Sequence, residues 1–230
     1  MLFSDTKIAQ FINDNFEPVW QSVRPVPTIQ IDFGNGKSVK RTLHGNIATY
    51  VCTSSGVILD VLPGLYQPVA YLDALKQLSL LGRYVVKGGR LDQHLLASYH
   101  EKQWAALEHN RKPWRLVVAV DRANLWHIAF VPSRDVALKS VLNLEPTTEC
   151  PNLGSADAIS TWKALTTETT FNEVLRRKAI HERLVSAKLK PAQFTRWLYK
   201  DVLHADIDDP YLGLKDTLTA TYPFKQADLR

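Results

Sequence analysis

The sequence predicts an α/β fold, in which a mixed sheet with flanking helices is followed by a mostly helical C-terminal extension. Two observations lead to this prediction. Short β-rich runs alternate with amphipathic helical segments up to about residue 131, and helical periodicity dominates after residue 155. The chain has 230 residues, of which 45% are hydrophobic, so it is long enough to bury a core.

The apolar runs and the cysteines exclude several classes of protein. The longest apolar run, Leu116–Val120, is much shorter than the ~20 residues of a membrane-spanning helix. The N-terminal sequence lacks the pattern of an export signal, so a cytoplasmic protein is expected. Cys52 and Cys150 lie 98 positions apart, which is neither a metal-ligand spacing nor a disulfide framework. We expect one packed strand residue and one loop thiol.

The first element is a predicted helix. Ser4 is its expected N-cap, Asp5 lies in the first turn, and Ile8 and Phe11 fall on one face. Phe16–Trp20 is predicted to be a short strand that is interrupted by a proline.

Two hairpins and a helix are predicted next. The first predicted hairpin consists of Thr28–Phe33 and Ser38–Leu43, which flank a glycine-rich turn. Apolar and polar residues alternate in both segments well enough for them to pair. Ala48–Thr53 and Val57–Leu62 form the second predicted hairpin, and apolar residues on both faces indicate strands that are covered on two sides. Pro68–Leu81 is predicted to be a helix that begins with proline.

The remainder of the chain is predicted to be mostly helical. Leu91–His109 reads as one long helix, and Leu116–Val120 is an apolar run of strand length that can pair with Trp126–Val131. Helical patterns also cover Ser155–Leu165, Thr170–Leu189 and Pro191–Ala205.

The segments LFSDTKIAQFINDNFEPVW and NIATYVCTSSGVILDVLPGLYQPVAYLDAL resemble the thioredoxin-like superfamily. The resemblance covers about a third of the chain and rests on the spacing of the whole series. It implies a degenerate thioredoxin-like unit over residues 1–82. Residues 83–150 would then supply a helix and a strand that complete the sheet, and residues 151–230 would form the helical region.

Two departures from that family bear on function. The sequence contains no Cys-x-x-Cys, and the position of the family's cis-proline corresponds to Ile47, where a trans bond is expected because a non-proline cis bond costs about 3 kcal/mol. Thiol exchange needs a thiolate of low pKa beside a resolving thiol. Cys52, in the middle of a predicted strand, offers neither. The family's central strand is then either supplied by Leu116–Val120 or encoded upstream of Met1.

Two groups of residues are weak candidates for metal chemistry. The first combines an imidazole with three carboxylates near a predicted helix end: His204, Asp206, Asp208 and Asp209. Their spacing matches no calcium loop, and an Asp-capped turn is the favoured interpretation. His100-Glu101 and His181-Glu182 each lack the second histidine of a zinc-protease helix, so they are expected to be ordinary helix residues.

Positive charge is concentrated in residues 171–200, which hold eight Lys or Arg and two Glu. The candidate basic surface consists of Arg176, Arg177, Lys178, Arg183, Lys188 and Lys190. Glu173 can pair with Arg176 or Arg177, so a solvated, salt-bridged face is favoured over a nucleic-acid site.

The leading functional hypothesis is a redox-inactive thioredoxin-like protein that acts as a binding or scaffold module for a protein partner. One alternative is a protein derived from a thiol–disulfide oxidoreductase, whose catalytic cysteines lie upstream of Met1. Another is a binder of an acidic partner or nucleic acid through residues 171–200. The sequence assigns no catalytic residue and no cofactor.

Overall fold

The computed structural model describes residues 2–42, 47–121, 123–135, 156–186 and 189–216. It confirms the mixed α/β class. The helices are α1 (Thr6–Asn15), α2 (Pro68–Val85), α3 (Gln93–Glu108), α4 (Ala156–Phe171), α5 (Arg177–Val185) and α6 (Pro191–Trp197). The strands are β1 (Thr28–Asp32), β2 (Ser38–Thr42), β3 (Ala48–Cys52), β4 (Ile58–Pro63), β5 (Val86–Lys87), β6 (Arg90–Leu91), β7 (Arg115–Val120) and β8 (Trp126–Val131).

The N-terminal segment differs from the prediction in two details. The N-cap of α1 is Asp5, whose carboxylate accepts the backbone N–H groups of Lys7 and Ile8 at 2.9 and 3.2 Å, while Ser4 lies in a preceding 3-10 turn. A carboxylate also interacts favourably with the helix dipole. The predicted strand Phe16–Trp20 is wrong: these residues are irregular, Phe16 is half-buried against the core, and the others are exposed, with Trp20 at 86%.

The hairpins β1–β2, β3–β4 and β7–β8 form as predicted, and β5–β6 is an additional pair of very short strands. All six residues of β4 are buried, which agrees with the expectation of a strand covered on both faces.

The described strands form four separate two-stranded antiparallel sheets, so the single thioredoxin-like mixed sheet is not formed by them. In particular, β7 pairs with β8 alone. The side chain of Gln77 on α2 accepts from the backbone N–H of Leu116 at 2.8 Å and donates to its carbonyl at 3.2 Å. Gln103 on α3 makes the same pair of bonds with Trp114, at 2.8 and 2.9 Å. These two amides bind the backbone groups of Trp114 and Leu116 with which a further strand would pair at the start of β7.

The C-terminal helices are more continuous than predicted. The predicted Ser155–Leu165 and Thr170–Leu189 helices are joined, because α4 and α5 are connected without a break by a π-helical turn, Asn172–Arg176. A π turn contains one more residue than an α turn, so it shifts which side chains face inward by about 100°. A second π turn, Leu198–Val202, follows α6.

The chain divides into two compact units. The first contains residues 1–19 and 47–191, and the second contains residues 20–46 and 192–230. These units follow different boundaries from the predicted divisions at residues 82 and 150. Within the second unit, the guanidinium of Arg24 donates to the backbone carbonyls of Ile207, Asp209 and Pro210, which ties its two chain segments together.

The hydrophobic core of the first unit surrounds α2. Leu75, Leu78 and Leu81 on this helix are buried together with Leu62 on β4 and Leu116 on β7. No helix within the described ranges is long and apolar enough to cross a membrane. Cys150 lies outside the residues that the structure describes.

Candidate functional site

Five polar side chains meet inside the first unit. Asp60 comes from β4, Tyr99 and His100 come from α3, and Arg177 and His181 come from α5. All five are buried, and Asp60 and His100 have no exposed surface. We call this group the buried polar cluster. It joins three elements that are far apart in the sequence.

Asp60 is the acceptor at the centre of the buried polar cluster. Its Oδ2 accepts from the Tyr99 hydroxyl at 2.9 Å and from Arg177 Nη2 at 2.7 Å, and its Oδ1 accepts from the Val61 N–H at 2.8 Å. Burial by itself would raise the pKa of this carboxyl group, but the positive charge of Arg177, the interactions with His181 and His100 and the hydrogen bond from Val61 together outweigh burial and lower the pKa to about 2. Asp60 is therefore ionised and forms a buried ion pair with Arg177.

The two histidines continue the network in one direction. Arg177 Nη2 lies 3.2 Å from His181 Nε2, and His181 Nδ1 lies 2.9 Å from His100 Nδ1. Because a guanidinium can only donate, His181 Nε2 must accept and His181 Nδ1 must carry the proton. His100 Nδ1 then accepts, and its proton is on Nε2, which is buried beside the backbone of Leu59 without a well-formed hydrogen bond.

Both imidazoles are neutral in this arrangement. Burial disfavours the charged form, so the pKa of His100 falls to about 4 and that of His181 falls well below its ordinary value. An additional proton on either ring would also turn the nitrogen that accepts a hydrogen bond into a donor.

The only metal-binding combination found among the described residues is Asp60, His100 and His181, whose donor atoms lie within 4.8 Å of one another. Two imidazoles and a carboxylate suit a transition metal. However, the Arg177 guanidinium already donates to Asp60 and His181, and a divalent ion would add charge beside this buried cation. Binding through His181 Nδ1 would also place a proton on Nε2, facing the guanidinium. The donor set fits a closed hydrogen-bond network better than a metal centre.

A second polar contact lies next to the buried polar cluster, between Gly64 and the π turn. Gly64 has φ +73°, and a Cβ at this position would lie 2.8 Å from Arg176 Nη1 and 2.9 Å from both Asn172 Oδ1 and Glu168 Oε1. Asn172 Nδ2 donates to the carbonyl of Leu65 at 2.7 Å. The chain after β4 therefore packs closely against the helix, and glycine is required for both its backbone conformation and its size.

Gly64→Ala is expected to lower the free energy of unfolding by about 2–3 kcal/mol, as measured by urea denaturation. About 1 kcal/mol of this arises from the positive φ, and the rest arises from crowding against the three polar side chains. Gly56→Ala is the matched control, because Gly56 has φ +78° and open space around it. Equal losses in the two variants would show that the close approach at Gly64 has no energetic effect.

The candidate basic surface is largely engaged in contacts. Arg177 is buried in the cluster, which corrects its assignment to a surface. Arg176 donates to Asn172 at 2.6 Å, forms an ion pair with Glu168 and lies over the Phe171 ring. Lys178 pairs with Glu108. Of the remaining members, Arg183 and Lys190 also have interaction partners, and Lys188 lies outside the described residues.

The weak metal candidates near residue 206 are not brought together. Asp206 pairs with Lys200 at 2.8 Å, Asp208 lies 3.4 Å from Arg196, and Asp209 Oδ1 accepts from the backbone N–H groups of Tyr211 and Gly213. His204 is exposed. This arrangement is the Asp-capped turn that the sequence favours.

Sequence reasoning missed the buried polar cluster. His100 and His181 were expected to be ordinary helix residues, but the structure brings them into contact from two helices. One signal was available: Asp60 is the single charged residue in VILDVLP, where every neighbour is apolar. A carboxylate inside a buried strand requires a cationic or hydrogen-bonding partner.

Comparisons with known proteins found no matching family model, no curated relative and no solved structure that resembles this chain.

Proposed function

We propose that this chain is a binding module that holds a protein partner on the outer face of the helical segment formed by α4, the π turn and α5. One observation carries the proposal: the polarity of this segment is reversed between residues 166 and 177. The inward side buries Thr169, Asn172 and Arg177, whereas Val174 and Leu175 are exposed. A helix normally buries its apolar side.

The inward polar side chains are engaged in hydrogen bonds. Thr169 Oγ1 accepts from the backbone N–H of Gln67 at 2.8 Å, and Thr166 Oγ1, at the border between the inward side and the outward side, accepts from the Gln67 side chain at 2.6 Å. Asn172 and Arg177 bind the Leu65 carbonyl and Asp60. These contacts fix the orientation of the helix, so the apolar side is held outward.

The outward side forms a shallow groove of about 470 Å³. Its lining consists of Thr166, Thr167, Thr170, Phe171, Val174 and Leu175. Leu175 is 54% exposed. Phe171, Val174 and Leu175 are exposed side by side in this groove, where an apolar segment of another protein can pack against them.

The thiol and the buried cluster support binding rather than catalysis as the proposed role. Burial raises the pKa of the Cys52 thiol, which reduces its reactive thiolate. The titratable groups of the buried polar cluster face one another, and their charges are compensated internally.

We also propose a thioredoxin-like ancestry for the first unit. The order of α1, the β3–β4 hairpin and α2, with residues 20–46 inserted, supports this proposal. A crystal structure in which β7 or β8 pairs with the β3–β4 hairpin in one sheet would support it. A crystal structure with separate hairpins would count against it.

Photo-crosslinking tests the binding proposal. A benzoylphenylalanine at Thr170, inside the groove, is expected to capture a specific protein in extracts of the native cells. The same probe at exposed Lys87, outside the groove lining, is the control. Leu175→Glu should abolish the crosslink from Thr170, because a buried unpaired carboxylate is unfavourable in an apolar contact.

Identical crosslinked proteins from both probe positions, or a crosslink unchanged by Leu175→Glu, would contradict the proposal. An insulin-reduction assay on the product of an in-frame start upstream of Met1 addresses the redox alternative. Reduction by that product would favour a protein derived from an oxidoreductase.

A further inference from the structure

A second surface, independent of the groove, lies on the β1–β2 hairpin of the second unit. Every residue from 31 to 40 is exposed. One face of the hairpin carries an apolar cluster, because Ile31 lies opposite Val39 and Phe33 shares their side of the ladder, while Lys40 lies on the other face. Phe33 is 60% exposed. Isolated two-stranded hairpins are marginally stable, so this one gains from a third strand.

The register identifies the backbone groups that a third strand would bind. The N–H of Phe33 donates to the carbonyl of Lys37 at 3.1 Å, so this is a hydrogen-bonded pair. In an antiparallel ladder, hydrogen-bonded and non-hydrogen-bonded pairs alternate. Ser38, Lys40 and Thr42 therefore belong to non-hydrogen-bonded pairs, and their backbone N–H and C=O groups point to the edge of β2 that none of the described strands covers, its free edge.

Charge selects the kind of strand that fits. Residues 34–42 contain Lys37, Lys40 and Arg41 and no acidic residue. If the β2 edges of two chains paired antiparallel and centred on Lys40, the two Lys40 side chains would lie opposite one another. Like charges in directly opposite positions are unfavourable. An acidic strand would instead be attracted.

We propose that the free edge of β2 binds an extended segment of a partner protein in which apolar and acidic residues alternate. The partner's backbone pairs with the edge groups of Ser38, Lys40 and Thr42. Its apolar side chains extend the face formed by Ile31, Phe33 and Val39, and its carboxylates lie on the opposite face, near Lys40. This is strand addition to an exposed sheet edge.

Fluorescence anisotropy with the full chain tests this inference. The probe is a labelled peptide of about nine alternating valine and glutamate residues, a length suited to one strand. The control peptide has lysine in place of glutamate. We expect the glutamate peptide to bind at least about tenfold more tightly, and its affinity to fall with added salt.

Two substitutions separate backbone pairing from charge. Ser38→Pro removes an edge N–H without removing a β1–β2 hydrogen bond or a charge, and it should weaken binding at least about tenfold. Lys40→Glu keeps the N–H, and it should reverse the preference between the two peptides. Gln30→Pro makes the equivalent change at the opposite edge, on β1, and should leave binding unchanged.

Failure of the glutamate peptide to bind, or an equal loss in Gln30→Pro and Ser38→Pro, would overturn the inference. Leu175→Glu should leave peptide binding unchanged. The result is therefore separate from that of the groove experiment.

Discussion

Asp60→Asn is expected to lower the free energy of unfolding by about 3–5 kcal/mol, because it leaves the Arg177 guanidinium buried without a counter-charge. The substitution keeps the shape of the side chain, so the loss reports on charge rather than on packing. Urea denaturation at neutral pH, analysed as a two-state transition, measures it.

Asp73→Asn is the matched control for this prediction. Asp73 also binds an arginine, Arg115, through two hydrogen bonds of 2.6 and 2.9 Å, but both side chains of this pair are partly exposed. Solvent screens such a pair, so we expect a loss of about 1 kcal/mol. If the two variants lost equal stability, burial of the Asp60–Arg177 pair would have no special role.

Stability is expected to fall steeply as the pH drops from about 6.5 towards 4, because the unfolded chain binds protons that the folded chain excludes. A histidine has its ordinary pKa near 6.5 when unfolded, whereas the folded pKa of His100 is about 4. The unfolded state therefore binds more protons in this window. His100 alone accounts for about 3 kcal/mol over the window, at up to about 1.4 kcal/mol per pH unit.

His100→Gln should flatten this dependence, because the glutamine oxygen can still accept from His181 but does not titrate. Urea denaturation at several pH values between 5 and 7.5 measures the slope. His94→Gln, at an exposed position on the same helix, should retain the wild-type slope. The contribution of Asp60 is lost only below about pH 4, since its pKa falls from 3.8 to about 2 on folding. If His100→Gln left the slope of the free energy of unfolding against pH unchanged, the assignment of His100 and His181 as neutral would be wrong.

Local patterns were sufficient to predict most of the elements. The β3–β4 hairpin, α2 and α3 were predicted from alternation, helical periodicity and turn residues, all of which act over short stretches of chain. Phe16–Trp20 was predicted wrongly, because its apolar residues satisfied a strand pattern although no neighbouring strand pairs with them. Pairing depends on the whole fold and is not a property of the segment.

The buried polar cluster could not be found in the same way, because its members are separated along the chain. Asp60 and Arg177 are 117 positions apart. The π turn before Arg177 also shifts the helical periodicity, so a regular helical wheel does not indicate that this arginine faces inward. The isolated carboxylate in β4 predicts a partner without identifying it.

The two glutamines beside β7 have a consequence for association between chains. An uncovered strand edge is a template on which other chains can grow into an aggregate. Gln77 and Gln103 bind the backbone N–H and C=O groups of Leu116 and Trp114 at this edge, so these groups cannot pair with an incoming chain. The two side chains therefore block the start of the β7 edge, which reduces the tendency of this strand to nucleate an aggregate.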